Sequence, residues 1–184
     1  MCDSTSNFYS ENLCSATGIT AIFSCPGRFE ELADRPCSGM TGRSLEYILE
    51  KILFNGKRLN RSLVGINNAW SKVEFFAKTN RSEADDFEIL NSSNIDRLKN
   101  ELKNTKIAIA FGDKALLALN AVKNAGRSDL HIVNAIHLSP RRINTCIKKD
   151  VFGNVLKKGA KGNFKKRLSV VANDIKRASG GLFV

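Results

Sequence analysis

Four short apolar runs, each followed at once by small or polar residues, are the feature that most constrains how this chain folds. They cover residues 18–23, 63–66, 107–111 and 131–136. Each run has the length of a buried strand, and the segments between them carry apolar residues at helical spacing. Such alternation predicts an α/β fold, which we expect to be a three-layer α/β/α arrangement around a central, mostly parallel four-stranded sheet.

Four helices are predicted between and after these strands. Residues 42–54 place apolar side chains on one helical face before Gly56, which is expected to end the helix. Asn94 is expected to cap a helix that extends to about residue 103, and Asp113 to begin another. Residues 165–178 predict a basic amphipathic helix that closes the fold.

The composition indicates one soluble globular domain over residues 1–184. With 42% hydrophobic residues and only 3 Pro, the chain is too apolar for a disordered protein. No apolar run approaches the roughly 18 residues of a membrane span, and no secretory signal is visible. The 5 Cys are odd in number and form no CxxC pair, which argues against a disulfide framework or a zinc ribbon. We therefore expect a reduced cytoplasmic protein, with a monomer favoured.

The positive charge is concentrated in the last quarter of the chain. The formal net charge is +11, yet residues 1–136 contain 17 basic and 16 acidic residues, whereas residues 137–184 contain 12 basic and 2 acidic ones. One interpretation is a solvated basic tail. Because Phe152, Leu156 and Phe164 interleave with the basic residues, we favour a folded basic face, and DNA is the polyanion that we expect it to bind rather than a membrane.

Polar clusters follow all four predicted strands. Cys25-Pro26-Gly27 follows the first, Asn67-Asn68 the second, Gly112-Asp113 the third and His137-Leu-Ser-Pro the fourth. Ligands of open α/β sheets bind outside the carboxyl ends of the strands. We therefore expect these clusters to converge on one crevice.

In this order, the clusters resemble motifs of the uracil-DNA glycosylase superfamily. The segment from Cys25 to Leu45 is similar, without a gap, to the stretch that begins Gly-Glu-Ala-Pro-Gly-x-x-Glu-Asp in the Fe–S-containing branch. The segment from His137 to Arg141 is similar to the His-Pro-Ser-Pro-Arg loop of the single-strand-selective branch. Asn68 and the segment from Ile107 to Leu119 also match in order, so the resemblance covers residues 18–145.

The resemblance implies an enzyme that flips a base into a pocket and stabilises it as it departs as an anion. His137 matches the histidine that hydrogen-bonds the pyrimidine carbonyl where charge develops. Glu30 matches the glutamate that positions or activates water, and a solvated glutamate at a helix start is the alternative. Asn68, or its neighbour Asn67, matches the asparagine that pairs with the pyrimidine edge.

The same resemblance implies a base pocket and a DNA-binding face. The pocket residues would be Ser24, Cys25, Pro26, Gly27, Phe29, Cys37 and Asn68. The DNA-binding residues would be Ser139, Pro140, Arg141, Arg142, Lys165 and Lys166, with Arg141 filling the gap left by the flipped base. Lys148, Lys149, Lys157, Lys158, Lys161 and Arg167 are collective candidates for phosphate contacts.

Three positions depart from the family pattern. Ser24 replaces the glutamate of the Fe–S branch and Cys25 stands where other branches have Asp or Asn, which gives water activation to Glu30. Cys25 is either a nucleophile without a visible base or a buried structural thiol. Cys37 replaces the Phe that stacks on uracil, so the pocket is wider unless Phe29 provides the platform. The Fe–S cysteines are absent, and we expect no metal, cluster or cofactor.

The leading hypothesis is a monofunctional DNA glycosylase that hydrolyses the N-glycosidic bond of uracil or a bulkier modified pyrimidine and leaves an abasic site. DNA repair and action on modified phage DNA both fit these features. A catalytically degenerate DNA-binding protein of the same fold is the alternative. An unrelated nucleotide-binding enzyme is the weaker hypothesis, because the chain has neither GxxxxGK[ST] nor GxGxxG.

Overall fold

The computed structural model describes residues 7–184 and confirms the three-layer α/β/α architecture. The elements in chain order are β1 (Ile19–Phe23), α1 (Arg28–Ala33), α2 (Gly39–Leu49), β2 (Leu53–Phe54), β3 (Lys57–Arg58), a 3₁₀ turn (Arg61–Leu63), β4 (Gly65–Asn68), α3 (Phe76–Thr79), α4 (Asp86–Ile89), α5 (Ser92–Glu101), β5 (Ile107–Phe111), α6 (Asp113–Asn124), β6 (His131–Ala135), α7 (Pro140–Cys146) and α8 (Asn163–Ala178).

The central sheet has the strand order β4-β1-β5-β6, and all three pairings are parallel. Ala21 of β1 lies opposite Ile66 on one side and Ile109 on the other, which defines the register at the middle of the sheet. Every residue of β1, β4 and β5 is buried. A parallel sheet covered by helices on both faces requires such continuously buried strands.

Two layers of helices cover the sheet. The helices α2 and α8 pack on the face that carries Ile19, Phe23 and Phe111, whereas α5 and α6 pack on the face that carries Ile22 and Ala108. The rings of Phe23 and Phe111 stack with their centroids 4.9 Å apart. Since these two residues end β1 and β5, their stack forms the floor beneath the loops that follow both strands.

The connections that follow β1 and β5 turn toward opposite faces of the sheet. The chain leaves β1 toward α2 on one face of the sheet and leaves β5 toward α6 on the other. A crevice opens where neighbouring strands send their connections to opposite faces. The segments after β1, β5 and β6 therefore border a common opening.

Two of the predicted helices have different boundaries in the structure. The helix predicted over residues 42–54 already ends at Leu49, and the chain then forms the antiparallel pair β2–β3. The turn between them is Asn55-Gly56, and both residues have positive φ, as a tight hairpin turn requires. Asn94 does not cap α5: Asn91 does so, by accepting a hydrogen bond from the backbone N–H of Ser93.

Of the short helices that the sequence did not predict, which are α1, α3, α4 and α7, the last lies beside the site. Helix α7 begins directly after the predicted loop, with Ser139 as its N-cap and Pro140 in its first turn. Proline suits the first turn, because the N–H that it lacks has no helical partner there. Arg141 and Arg142 therefore project from a short helix rather than from a loop.

The described cysteines differ in their bonding. Cys25, Cys37 and Cys146 are free thiols, whereas Cys14 is disulfide-bonded. The expectation of a wholly reduced chain is therefore wrong for Cys14. Within residues 7–184, no helix is long and apolar enough to cross a membrane.

Candidate active site and nucleic-acid interface

A cavity of about 410 Å³ lies at the carboxyl ends of the central strands, and we call it the inner cavity. It brings together nine of the residues singled out in the sequence, which are Ser24, Cys25, Gly27, Glu30, Cys37, Asn68, His137, Ser139 and Arg141. The polar clusters at the ends of β1, β4 and β6 therefore meet at this cavity, with Asn68 alone representing the cluster of β4. The cluster after β5 borders the adjoining outer cavity.

His137 is held in one orientation by its own loop. Its Nδ1 atom accepts a hydrogen bond from the backbone N–H of Ser139 at 3.1 Å. An Nδ1 that accepts carries no proton, so the neutral imidazole has its proton on Nε2. Burial lowers the pKa of His137 below its usual value, and Arg142 acts in the same direction, while Glu83 and Glu30 oppose it. The site therefore contains a neutral imidazole with an N–H donor.

Gly112 provides the space that this imidazole needs. A Cβ atom at Gly112 would lie 3.1 Å from the Cβ of His137 and 3.5 Å from its ring. The φ of Gly112 is +101°, which side chains with a Cβ rarely adopt. The glycine after β5 thus allows the loop after β6 to come close.

Glu30 connects the beginning and the middle of the segment from Cys25 to Leu45. One carboxylate oxygen accepts the backbone N–H of Gly27 at 3.0 Å, and the other accepts the backbone N–H of Ser38 at 2.8 Å. The carboxylate therefore joins the start of α1 to the residue that precedes α2. Both oxygens face backbone donors, so Glu30 has a structural role whatever else it does.

Cys37 forms part of the wall of the inner cavity in an unusual backbone conformation. It has a φ of +49°, and its side chain is buried. Its carbonyl oxygen accepts a hydrogen bond from Arg61, whose guanidinium also binds the carbonyl of Pro36 and the carboxylate of Glu11. Gly42 approaches the same carbonyl so closely that a Cβ there would lie 2.2 Å from the oxygen. Arg61 and Gly42 together hold this turn.

The structure distinguishes the two asparagines that end β4, which extends to Asn68 rather than stopping at Ile66 as predicted. Asn68 lines the inner cavity, and its side-chain amide donates to the carbonyl of Tyr9 at 3.0 Å. Asn67 is completely buried and donates to the carboxylate of Glu101 on α5. Successive residues of a strand face opposite sides of a sheet. Asn68 is therefore the one that is available to a ligand.

The two free thiols at the cavity are not activated. Burial raises the pKa of Cys25 to about 12, even though Ser24 hydrogen-bonds it. Burial also raises the pKa of Cys37 far above its usual value. Because the thiolate is the nucleophilic form, the structural interpretation of Cys25 is favoured. The raised pKa of Cys37 likewise favours a protonated thiol with a structural role.

Two carboxylates of the cavity were missed in the sequence. Glu74 is buried, accepts hydrogen bonds from Arg81 and Trp70, and has its pKa lowered to about 2, chiefly by Arg81. Glu83 is exposed, lines both the inner and the outer cavity, and makes no hydrogen bond or ion pair within residues 7–184. Both lie between β4 and α4, where no motif or strand end points to a site.

The outer cavity, of about 760 Å³, adjoins the inner one and shares five lining residues with it. These are Ser24, Glu83, His137, Ser139 and Arg141. Arg142 lines only the outer cavity, where Lys114 is paired with Asp86 at 2.6 Å. The exposed side chain of Arg141 makes no hydrogen bond or ion pair to any described residue, so its charge is free at the junction of the cavities.

Five predicted site residues lie outside both cavities. Pro26 is buried, and its carbonyl accepts the backbone N–H of Glu74. Phe29 packs against Gly39 and is 64% exposed, so it does not replace the aromatic platform inside the cavity. Pro140 begins α7, and Lys165 and Lys166 lie exposed in the first turn of α8.

Arg167 differs from the other cations of the basic segment, because it is buried. Only 2% of the residue is exposed, and its guanidinium donates to the carbonyls of Ile147, Leu156 and Lys157. It therefore fastens the 147–157 segment onto α8. Arg167 is therefore buried, unlike the exposed lysines that were grouped with it as candidates for phosphate contacts.

Candidate metal ligands do not cluster in the described part of the chain: no three His, Cys, Asp or Glu side chains are grouped so that they could hold an ion. No protein-family model matches this chain, and no curated protein is similar to it in sequence. The geometry of the site is therefore the basis for assigning a function.

Proposed function

We propose that this protein is a DNA glycosylase that takes a flipped pyrimidine into the inner cavity and hydrolyses its N-glycosidic bond. Water attacks C1′ of the sugar, and the C1′–N1 bond breaks with its electron pair going to the base. The water loses one proton to a carboxylate, which leaves a hydroxyl on C1′ and an abasic site. The base departs as an anion and is protonated afterwards. A cytoplasmic location is part of this proposal.

The observation that carries the proposal is the state of His137 in the inner cavity. Its Nδ1 is engaged by Ser139, so its proton is on Nε2, and burial keeps the ring neutral. A preorganised neutral donor stabilises charge that develops on a carbonyl oxygen in the transition state. Because the donor needs no proton transfer, it can stabilise the departing base at neutral pH.

The hydrogen bonds of the two carboxylates near His137 favour different roles for them. Glu30 has both oxygens bound to backbone N–H groups, which suits the holding of a loop or of a water molecule. Glu83 borders both cavities without a partner. A base must be able to reach the proton that it takes. We therefore infer that Glu83 accepts the proton and that Glu30 shapes the pocket.

The small side chain of Cys37 in the cavity wall bears on how large a pyrimidine the inner cavity can accept. Its small side chain stands where the resembled family has a stacking aromatic ring, and Phe29 lies outside the cavity. A smaller wall residue leaves room for a substituent on the pyrimidine ring. We propose that modified pyrimidines, including those of phage DNA, are substrates along with or instead of uracil.

An excision screen tests the function directly. The protein is incubated with duplex and single-stranded oligonucleotides that contain uracil, 5-hydroxymethyl pyrimidines or glucosylated cytosine, and abasic sites are then cut with alkali. We expect strand scission on at least one substrate, lost in H137A and retained in H131A. His131 is the matched control because it is the other of the 2 His and lies exposed on β6. No scission on any substrate would refute the proposal.

The alternative function is a DNA-binding protein of the same fold without catalysis. The observation in its favour is that Glu30, the expected water-activating residue, has each carboxylate oxygen bound to a backbone N–H. In that case the oligonucleotides would bind, H137A would bind as well as the unmodified protein, and no product would form. The same screen, followed by a binding titration, therefore separates the two functions.

A further inference from the structure

A third cavity, of about 360 Å³, lies beside α7, and we call it the side cavity. Its wall includes four cationic residues, Arg141, Lys148, Lys158 and Arg167, and no carboxylate. The remaining lining residues are Asn144, Thr145 and Leu156. Because cations repel one another, such a cluster without an acidic neighbour is costly unless an anion joins it.

Arg167 is the strongest indication of an anion at this position. It is 2% exposed and forms no ion pair with any residue in the range 7–184. Three backbone carbonyls receive its Nε and Nη2 donors, while Nη1 has no hydrogen-bond partner among the described residues. A buried charge without a counter-charge is strongly disfavoured. Since Arg167 also lines the side cavity, the free edge of its guanidinium is available to a ligand there.

We infer that the side cavity is a phosphate-binding site that receives a backbone phosphate of the bound nucleic-acid strand. A guanidinium can bind phosphate through two parallel hydrogen bonds, and a lysine ammonium binds it as a point charge. Arg167 supplies a buried donor at the base of the site, and Lys148 and Lys158 supply exposed charges at its rim. The Nζ of Lys148 already lies 3.1 Å from the carbonyl of Asn144, which keeps it beside α7.

Arg141 connects this site to the proposed chemistry. It lines the inner, outer and side cavities, and so lies where all three meet. A strand whose base enters the inner cavity can therefore pass over Arg141 and place a phosphate in the side cavity. The nucleic-acid source of the phosphate depends on the proposed function, but the anion site itself does not.

The test is the binding of a fluorescein-labelled oligonucleotide that contains only ordinary bases, titrated at several salt concentrations. The variant is K148Q/K158Q, which removes two rim charges and leaves Arg167 and its structural bonds in place. The matched control is K103Q/K123Q, which removes the same charge from exposed lysines at the ends of α5 and α6. Thermal unfolding with and without inorganic phosphate is measured for all three proteins.

We expect the affinity of K148Q/K158Q to fall on the order of tenfold and its dependence on salt to weaken by about one unit of logarithmic slope. The control should change either quantity much less. Equal effects in both variants would overturn the site, because they would mean that only net charge matters. In another outcome, phosphate stabilises the unmodified protein and not K148Q/K158Q while both bind the oligonucleotide equally well. That result would overturn the inference that the bound phosphate belongs to a nucleic-acid strand. Since no base is excised in this assay and the phosphate measurement uses no nucleic acid, the anion site is tested separately from the glycosylase proposal.

Discussion

The backbone N–H of Ser139 donates a hydrogen bond to the Nδ1 of His137 at 3.1 Å. This short-range contact sets the tautomer of the imidazole, because only the other ring nitrogen can then carry the proton of the neutral form. Ser139 also caps α7 through its hydroxyl, which accepts the backbone N–H of Arg142. The residue that orients His137 therefore also begins the helix that carries the arginines.

His137→Ala should lower the rate of base excision on the order of 10²-fold or more, because it removes the donor to the departing base. His131→Ala should leave the rate unchanged, since His131 is exposed on the edge strand β6. Single-turnover excision assays measure both. Equal rates for the two variants would show that the inner cavity is not where the bond is broken.

The pH dependence of excision should reflect the lowered pKa of His137. Its folded pKa is below the ordinary value of about 6.5, so the neutral ring persists as the pH falls past 6.5 and is lost only at lower pH. The acid limb of the pH–rate profile should therefore have a midpoint below 6.5. A midpoint at or above 6.5 would contradict a buried neutral donor.

The same shift predicts a direction for stability. The unfolded chain takes up a proton on this histidine near pH 6.5, whereas the folded protein resists it. His137 should therefore reduce the free energy of unfolding as the pH falls from 6.5 toward the folded pKa. Urea unfolding of the unmodified protein and of H137Q at pH 8 and pH 5.5 measures this, and the stability difference between them should shift in favour of H137Q at the lower pH.

Glu83→Gln should lower excision by about 10²-fold without changing stability by more than about 0.5 kcal/mol, because Glu83 is exposed and unpaired. Glu30→Gln should lower the free energy of unfolding by about 1 kcal/mol, since a side-chain amide cannot accept both backbone hydrogen bonds. Kinetics and urea titrations separate the two effects. Full activity in E83Q, with activity lost in E30Q beyond its loss of stability, would return the proton-accepting role to Glu30.

Gly42→Ala should both destabilise the protein by about 1–3 kcal/mol and impair excision, because its Cβ would collide with the carbonyl of Cys37. Gly56→Ala is the control, since nothing lies within 4 Å of a Cβ at Gly56 and the substitution adds only left-handed backbone strain. Both variants should lose stability, and only G42A should lose activity per folded molecule. A comparable loss of activity in G56A would mean that the Cys37 turn does not shape the site.

Glu11 should make the protein sensitive to acid. Burial raises its pKa, but hydrogen bonds from Arg35 and Arg61 outweigh burial and lower the pKa to about 2. The stabilisation from Glu11 is therefore complete above its ordinary pKa of 4.5 and is lost as the pH falls from 4.5 to 2. Urea unfolding should show that E11Q is less stable than the unmodified protein at pH 7 and that the difference narrows at pH 3. Glu50→Gln, at an exposed position, should show no such convergence.

The fold could be predicted because its signals are local. Residues 107–111 form a strand with the predicted bounds. The first strand begins at Ile19, one residue later than predicted. Buried parallel strands appear as continuous apolar runs, and turn or polar residues end them. The helix predicted over residues 42–54 ends at Leu49 in the structure. Apolar residues continue at helical spacing beyond Leu49, but the Asn55-Gly56 turn with its positive φ angles places the following residues in a hairpin.

The sequence by itself determined the α/β alternation, the polar residues at or near the end of each strand, and the concentration of charge after residue 136. The tertiary structure decided which of those residues meet. It selected Asn68 over Asn67 by the alternation of a strand, and it brought Glu83 to His137 from a segment without a motif. It also buried Arg167 among carbonyls while leaving Arg141 free. Burial and partners depend on contacts between residues distant along the chain, and local patterns do not encode those contacts.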